Sequence, residues 1–340
     1  MSKPKHLKRK RRRALSFLIL AVLLIGALYA GAHCIFRAPD SPSQQDDPVH
    51  TDLPQSQASH KSETEQEADR AEAAARAHRQ RKADCYTILV SGLDDDHGGA
   101  DTNMLVTVNA GEGFVHAVSI PRDTKCIYGG KSHKINAAYN SGGMERLSAV
   151  ISDQLGIPVD YTITLDLKGF VALVDAIHGV DFEIPINMNY DDPTQNLSIH
   201  FKKGMRHLTG AEAIKVVRFR HNNDGTGYGS EDIGRMQTQQ NFLKAVAKKM
   251  LSVSTIPNVP KLAEVFKTYV KTDGLTTGNL VWLCTEMISM GPENISFSTL
   301  PGDWKSPFIY LDKDAVLELV NTYLNPYEED RVPEDLNIPS

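Results

Sequence analysis

Residues 85–120 read CYTILVSGLDDDHGGADTNMLVTVNAGEGFVHAVSI. Three runs inside it, CYTILVSG (85–92), NMLVTVNA (103–110) and GFVHAVSI (113–120), are short and rich in β-branched and aromatic residues, the composition of strands. Strand-like runs recur as YTITLDL (161–167), VDFEIP (180–185) and AIKVVRFR (213–220), and NISFSTLPGD (294–303) reads as a closing strand. Segments of helical period lie between them. GGMERLSAVISDQLG (142–156) sets Leu147, Val150, Ile151 and Leu155 on one face, and LKGFVALVDAIHG (167–179) does the same with Phe170, Leu173, Val174 and Ile177. Both stop at a glycine, the usual signal just past a last helical turn. RMQTQQNFLKAVAKKML (235–251) is the longest such pattern, and residues 262–290 read as two more helices. Strands alternating with helices specify an α/β or three-layer architecture.

The flanks divide the rest of the chain. Residues 1–13 are a tail with eight Lys or Arg, followed by an uncharged apolar run from Ala14 to about Ala32. A bilayer core needs about 20 helical residues, so 14–36 reads as one transmembrane helix, and the basic flank places everything beyond it outside the cytoplasm. The competing reading is a signal peptide cleaved within YAGAHC (29–34). Residues 37–83 are a spacer, first Pro-, Ser- and Gln-rich, then helix-favouring without an apolar stripe, and are expected to be disordered or helical. Residues 84–325 are long enough for one sizeable core or two small ones and read as one domain with a C-terminal extension, and 326–340 form an acidic, proline-containing tail expected to be disordered. The formal net charge of −5 argues against a nucleic-acid binder. Cys34 sits at the outer end of the anchor. Cys85, Cys126 and Cys284 have no metal-like spacing, which leaves a Cys85–Cys126 disulfide or buried free thiols.

The chemistry-bearing residues fall into four fragments. SGLDDD (91–96) places Asp94 at the exit of the first strand and Asp101 before the second, while Asp95 and Asp96 suit a turn. Magnesium favours a few such carboxylates together with phosphate oxygens and water. SIPRD (119–123) supplies Arg122 and Asp123 after a strand, and KINAAYN (134–140) adds Lys134, Asn136 and Tyr139; an ion pair within a surface turn would look the same. VRFRH (217–221), read as a strand, puts Arg218 and Arg220 on one face, where paired guanidiniums suit phosphate oxygens or merely a solvated edge. GSEDIGRMQTQQ (229–240) opens a helix with Arg235 and Gln239 on one face. Arg235 in the first turn opposes the helix dipole unless an anion is bound nearby. The intervening HNNDGTGYG (221–229) reads as a flexible, lid-like loop. Arg122, Lys134, Arg218, Arg220 and Arg235 exceed what two carboxylates neutralise, and the surplus fits a diphosphate. There is no Ser-His-Asp, Cys-His, zinc or Walker A pattern, and His97, His133 and His221 stand alone.

SIPRDT, KINAAY, VRFRH and DIGRMQTQQ, in that order, resemble the LytR–CpsA–Psr family of cell-wall phosphotransferases, from about Tyr86 to at least Leu251. The resemblance implies a three-layer α-β-α fold with a central mixed sheet and a magnesium-dependent transferase on the outer face of the membrane. Its donor would be a polyprenyl-diphosphate-linked glycan and its acceptor peptidoglycan. Asp94 and Asp101 match the magnesium-side carboxylates, with Asp94 also placed as catalytic. Arg122, Arg218, Arg220 and Arg235 match the diphosphate clamp, with Lys134 and Gln239 beside them. Many relatives have arginine where Gly99 stands here, and the Asp94–Asp101 loop is short. A non-catalytic lipid-diphosphate module and a diphosphatase that uses water remain alternative functions. A transcription regulator would have to read DNA with a basic tail too short to fold.

Overall fold

The computed structural model describes residues 37–40, 80–94, 99–229, 231–250 and 252–340. The expected basic tail (1–13) and transmembrane helix (14–36) lie outside the described residues. Among the described residues no helix is long and apolar enough to cross a membrane.

The strand-like runs at 85–120 form β1 (Cys85–Asp94), β2 (Gly99–Asn109) and β3 (Phe114–Ile120), an antiparallel meander. Two parallel strands extend it, β6 (Tyr161–Asp166) beside β1 and β12 (Ile295–Thr299) beside β3, and β11 (Val270–Asp273) closes the far edge. The result is a six-stranded mixed sheet in the order β11-β6-β1-β2-β3-β12. Period-two alternation sorts each strand's residues onto two faces. Leu89, Leu105, Val118 and Ile120 pack with Leu147, Ile151 and Leu155 of helix α1 (Ile135–Leu155), whereas Tyr86, Ile88, Val108 and Val115 face Leu280 and Leu283 of a later helix, Thr277–Met290. Helices on both faces of a mixed sheet make the expected three-layer α-β-α architecture.

A further apolar cluster lies beside this sandwich. It gathers α2 (Leu167–Ala176), α3 (Gly210–Arg218), α4 (Glu231–Met250) and α5 (Val259–Tyr269) with two small antiparallel pairs. One pair is β7 (Val180–Ile184) with β10 (Gly204–Leu208), the other β8 (Met188–Asp192) with β9 (Leu197–Phe201). Phe242 of α4 is its pivot, edge-on to Phe182 with centroids 5.1 Å apart.

Four expectations change. AIKVVRFR is not a strand: Gly210–Arg218 is helical. Its valines favour strand, but Thr209 and Glu212 form a reciprocal capping box that satisfies the first backbone donors. Ala213 and Val216 are then buried three apart, on one helical face. Helix α1 begins seven residues before its predicted start and is broken where Gly142 and Gly143 leave helical geometry.

The tail 326–340 is packed rather than disordered. Leu336 is 2% exposed against the α1 cluster, and Tyr327 lies between the guanidiniums of Arg81 and Arg331 at 5.6 and 4.3 Å. The spacer is likewise held at both ends. Asn279 donates to the carbonyls of Arg37 and Ala38 at 2.9 and 3.0 Å, and Tyr161 donates to that of Asp40 at 2.5 Å. At the other end Arg81 pairs with buried Asp160 at 2.7 Å. Residues 41–79 of the spacer lie outside the described residues. The three described cysteines are free and buried, with burial pushing each thiol up to about 12, so the free-thiol alternative holds for Cys85, Cys126 and Cys284.

Buried His116 on β3 bonds through Nδ1 to Ser296 (2.6 Å) and through Nε2 to Ser298 (2.8 Å), both on β12, and stacks on Tyr323. Burial lowers its pKa from 6.5 to about 4. The unfolded chain therefore takes up this proton at a higher pH than the folded one. Stability from this group is complete above pH 6.5 and is lost as pH falls towards 4, by about 3 kcal/mol. Urea denaturation at several pH values should show a shallower acid loss in His116→Gln than in the parent chain. Equal slopes in the two proteins would refute the assignment.

Candidate active site

The strand directions locate the site. β1, β3, β6 and β12 all run the same way, so their carboxyl ends share one edge, where open α/β sheets place ligands. At that edge Asp94 ends β1, paired with Gly99 at the start of β2. The register slips between Gly92 and Leu93, whose partners are Thr102 and Ala100, so Asp101 is an extra residue in a bulge. Bulges of this kind re-aim side chains next to binding sites. The described backbone thus brings the two predicted acids onto adjacent strand ends. A side chain at Gly99 would lie against the Asn140 amide, 3.6 Å from its Cβ position, in ordinary contact.

The chain leaves β3 through Pro121 into a tight turn, with Thr124 N–H donating to the Pro121 carbonyl at 3.0 Å. It then makes a hairpin, β4 (Lys125–Tyr128) and β5 (Lys131–Lys134), that runs directly into α1. Ile135 and Asn136 return their amides to the carbonyls of Thr124 and Arg122, fixing Lys134 beside the turn. Asp123 joins the pieces: one carboxylate oxygen meets Lys134 Nζ at 2.8 Å and the other Arg122 Nε at 3.7 Å. The ion-pair reading of SIPRD is therefore correct as geometry. All three side chains remain partly open to solvent, so the pairs contribute little stability while setting where the cations sit.

The second basic group comes from α3 and α4. Arg218 is the last residue of α3, Phe219 follows in extended geometry and is fully buried, and exposed Arg220 comes next. The two arginines are thus held apart by a buried anchor, not aligned by strand alternation. Gln239 does not point at an open anion site: its amide donates to the Val217 carbonyl at 2.8 Å. Its neighbour Gln240 donates to Thr299 at the carboxyl end of β12, also at 2.8 Å. These two bonds attach α4 both to the arginine segment and to the sheet edge, with Arg235 one turn before Gln239. Tyr228 packs against Gly234, where a Cβ would collide with it, and edge-on against Phe219 at 5.7 Å. Burial pushes the Tyr228 phenol up, and the nearby Arg235 charge pulls it back.

The loop HNNDGTGYG is tied down, contrary to the lid reading. Asn222 accepts the Asn189 amide N–H through its side chain at 2.6 Å. Asn223 accepts from the Asp191 amide at 2.6 Å and donates to the Asp191 carbonyl at 3.0 Å. Two side chains act as a surrogate strand beside β8. Sequence reading did not single out Gln240, and Gln239, expected beside the diphosphate clamp, donates its side-chain amide to Val217. Glutamines at successive helical positions carry no distinctive signal.

Cations placed beyond the carboxyl ends of an open mixed sheet lie where α/β domains bind ligands. Residues 50–326 match the LytR_cpsA_psr family model, and the chain belongs to that family. It is 34% identical over 197 residues to the polyisoprenyl-teichoic acid–peptidoglycan teichoic acid transferase TagU of Bacillus anthracis, covering 56% of this chain and 61% of that one. TagV of Bacillus subtilis, named for the same transfer, is 32% identical over 198 residues, covering 55% of this chain and 49% of that one. The crystal structure of B. subtilis TagV superposes with a TM-score of 0.60 at 26% identity, over 76% of this chain and 100% of that one. The matched stretch thus spans about three-fifths or less of the curated relatives' length.

Gln239 is a positioning residue in this geometry. Gln239→Leu should cost about 1 kcal/mol in urea denaturation, the net worth of one hydrogen bond, and weaken diphosphate binding together with it. Weakened binding with unchanged stability would instead mean direct contact with the anion.

Proposed function

We propose that this chain transfers a glycan phosphate from a polyprenyl-diphosphate-linked donor to peptidoglycan, on the outer face of a membrane that it spans once through residues 14–36. The observation that carries the reading is the convergence at one sheet edge. Arg122 and Lys134 are held around Asp123, and the Arg218–Arg220 segment with Arg235 is bonded through Gln239 and Gln240 to the same edge. The relatives named for teichoic acid transfer support it.

The arginines would clamp the diphosphate, since their planar forks match phosphate oxygens bidentately. Phe219, between Arg218 and Arg220, is fully buried in the apolar cluster of α2 to α5 and so anchors the segment that carries the two arginines. A sugar hydroxyl of the acceptor attacks the phosphorus next to the glycan. The new O–P bond forms, the P–O bond to the bridging oxygen breaks, and polyprenyl phosphate leaves with the bond pair. Asp94 or Asp123 would receive the hydroxyl proton. Arg122, Arg220 and Arg235 would spread the charge that develops on the phosphoryl oxygens. Asp94 and Asp101 are hard oxygen donors on adjacent strand ends, a set that fits magnesium completed by phosphate and water. When bound there it would offset diphosphate charge.

The test uses the full chain in detergent with a synthetic polyprenyl-diphosphate glycan, magnesium and peptidoglycan oligomers, with products followed by mass spectrometry. Glycan phosphate joined to the oligomer is the expected product. Arg220→Ala, at an exposed position, should keep its stability and lose transfer by about 100-fold or more. Asp94→Ala should still bind donor and form no product. Turnover that persists in Asp94→Ala would overturn the roles assigned here. Release of glycan phosphate to water alone would make the chain a diphosphatase, and arginine-dependent binding without turnover would make it a binding module.

A further inference from the structure

Two hairpins lie side by side beyond the sheet edge. The first is β4–β5, and the second pairs β13 (Gly302–Lys305) with β14 (Phe308–Leu311). They are joined at the site: Ile309 N–H donates to the Asp123 carbonyl at 2.9 Å, and Thr124 bridges Ile309. Directly across from Ile309 stands Trp304, 56% exposed on a strand whose four residues all face solvent. Lys134 Nζ lies 6.0 Å from its ring centroid while pairing with Asp123 at 2.8 Å. The sequence has two tryptophans. The other, Trp282, packs edge-on to Tyr86 on the opposite face of the sheet, as a structural tryptophan does.

Trp304 contributes to no apolar cluster among the described residues, and leaving so large an apolar surface in water is unfavourable. Asp303 and Lys305 point to the other face of its strand, Ile309 lies across from it and Lys134 reaches its ring, so it is a single aromatic plate with a cation at its edge. A ligand for such a plate has one apolar face and a polar rim. A pyranose fits: its axial C–H groups can lie on the indole's electron-rich face while its hydroxyls reach neighbouring charges. Lys134 at the edge of the plate complements a carboxylate, which the peptide-bearing sugars of peptidoglycan carry and neutral glycans lack.

We propose that Trp304 is the floor of the acceptor subsite, stacking a peptidoglycan sugar so that its hydroxyls are presented towards Asp123 and the diphosphate clamp. This inference rests on the transferase reading above. It adds that the acceptor approaches over the β13–β14 hairpin.

The test measures acceptor KM and kcat separately in the full chain, with soluble peptidoglycan oligomers at saturating donor, for the parent, Trp304→Phe and Trp304→Ala. Loss of the plate should raise acceptor KM about tenfold in Trp304→Ala with a much smaller change in kcat, and Trp304→Phe should recover most of it. The Trp304 indole N–H resonance, assigned with Trp304→Phe, should shift as oligomers are added to the parent. A parent that transfers normally while Trp304→Ala keeps the parent's acceptor KM overturns the subsite and leaves the transferase reading standing. A parent that transfers nothing to the oligomers, with an unshifted indole resonance, overturns both.

Discussion

Cations gathered for an anion repel one another before it arrives. Two unit charges 4 Å apart interact by about 4 kcal/mol at an effective dielectric of 20, a large fraction of a domain's net stability. The chain handles this by distributing its basic residues over separate elements and fixing each from behind. Asp123 takes up two of them at once. Phe219 drives into the apolar cluster between Arg218 and Arg220, so burial of a ring sets their separation. Gln239 and Gln240 add neutral hydrogen bonds, which place α4 without cancelling the positive field an anion needs. Carboxylates in their place would have neutralised the clamp they position.

The segment before β1 and the tail are tied to each other through Arg81. Asp160 is almost fully buried and accepts from both Arg81 and the Thr87 amide, joining the segment before β1 to the start of β6. Removing either partner of such a pair leaves an uncompensated buried charge, which costs several kcal/mol. Tyr327 then lies between Arg81 and Arg331, so the acidic tail covers the point where the chain enters the sheet. Gly156, left-handed at the end of α1, permits close approach of the Asp335 backbone that a Cβ would block.

Much of the fold was legible because it obeys local rules. The meander of 85–120, the glycine stop at Gly156 and the long helix after Gly229 follow from periodicity and caps. The failures have one cause, in that long-range contacts outweighed local composition. Val216 and Val217 suggested a strand, yet the Thr209–Glu212 box and packing on Phe242's cluster made a helix. Polar Asn222 and Asn223 suggested a mobile loop, but their amides pair with the β8 backbone, a partner more than 30 residues away. The proline- and acid-rich tail looked unable to fold, and alone it would be; it is ordered by Arg81, Asp153 and the α1 cluster. The site cations were legible as a set, whereas their geometry depended on Gln239 and Gln240, whose roles exist only after folding.

These restraints bear on how selectivity arises. The loop at 221–229 is paired to β8 and the Arg122–Lys134 turn is bonded to α1, so on the proposed reading the clamp would be largely preorganised, which would lower the ordering cost of binding a diphosphate. A preorganised diphosphate clamp recognises what all such donors share and discriminates little among their glycans. Discrimination must then come from surfaces farther from phosphorus. On this chain the β13–β14 hairpin is the element that touches the clamp through Asp123 while presenting its own side chains to solvent. Asp303, Trp304 and Lys305 are exposed, whereas Gly302 is held by the Tyr310 backbone that a Cβ would meet and Leu311 packs on the α1 cluster. On the proposed reading, reaction chemistry would be tied to the rigid edge and partner choice to the exposed positions of the hairpin.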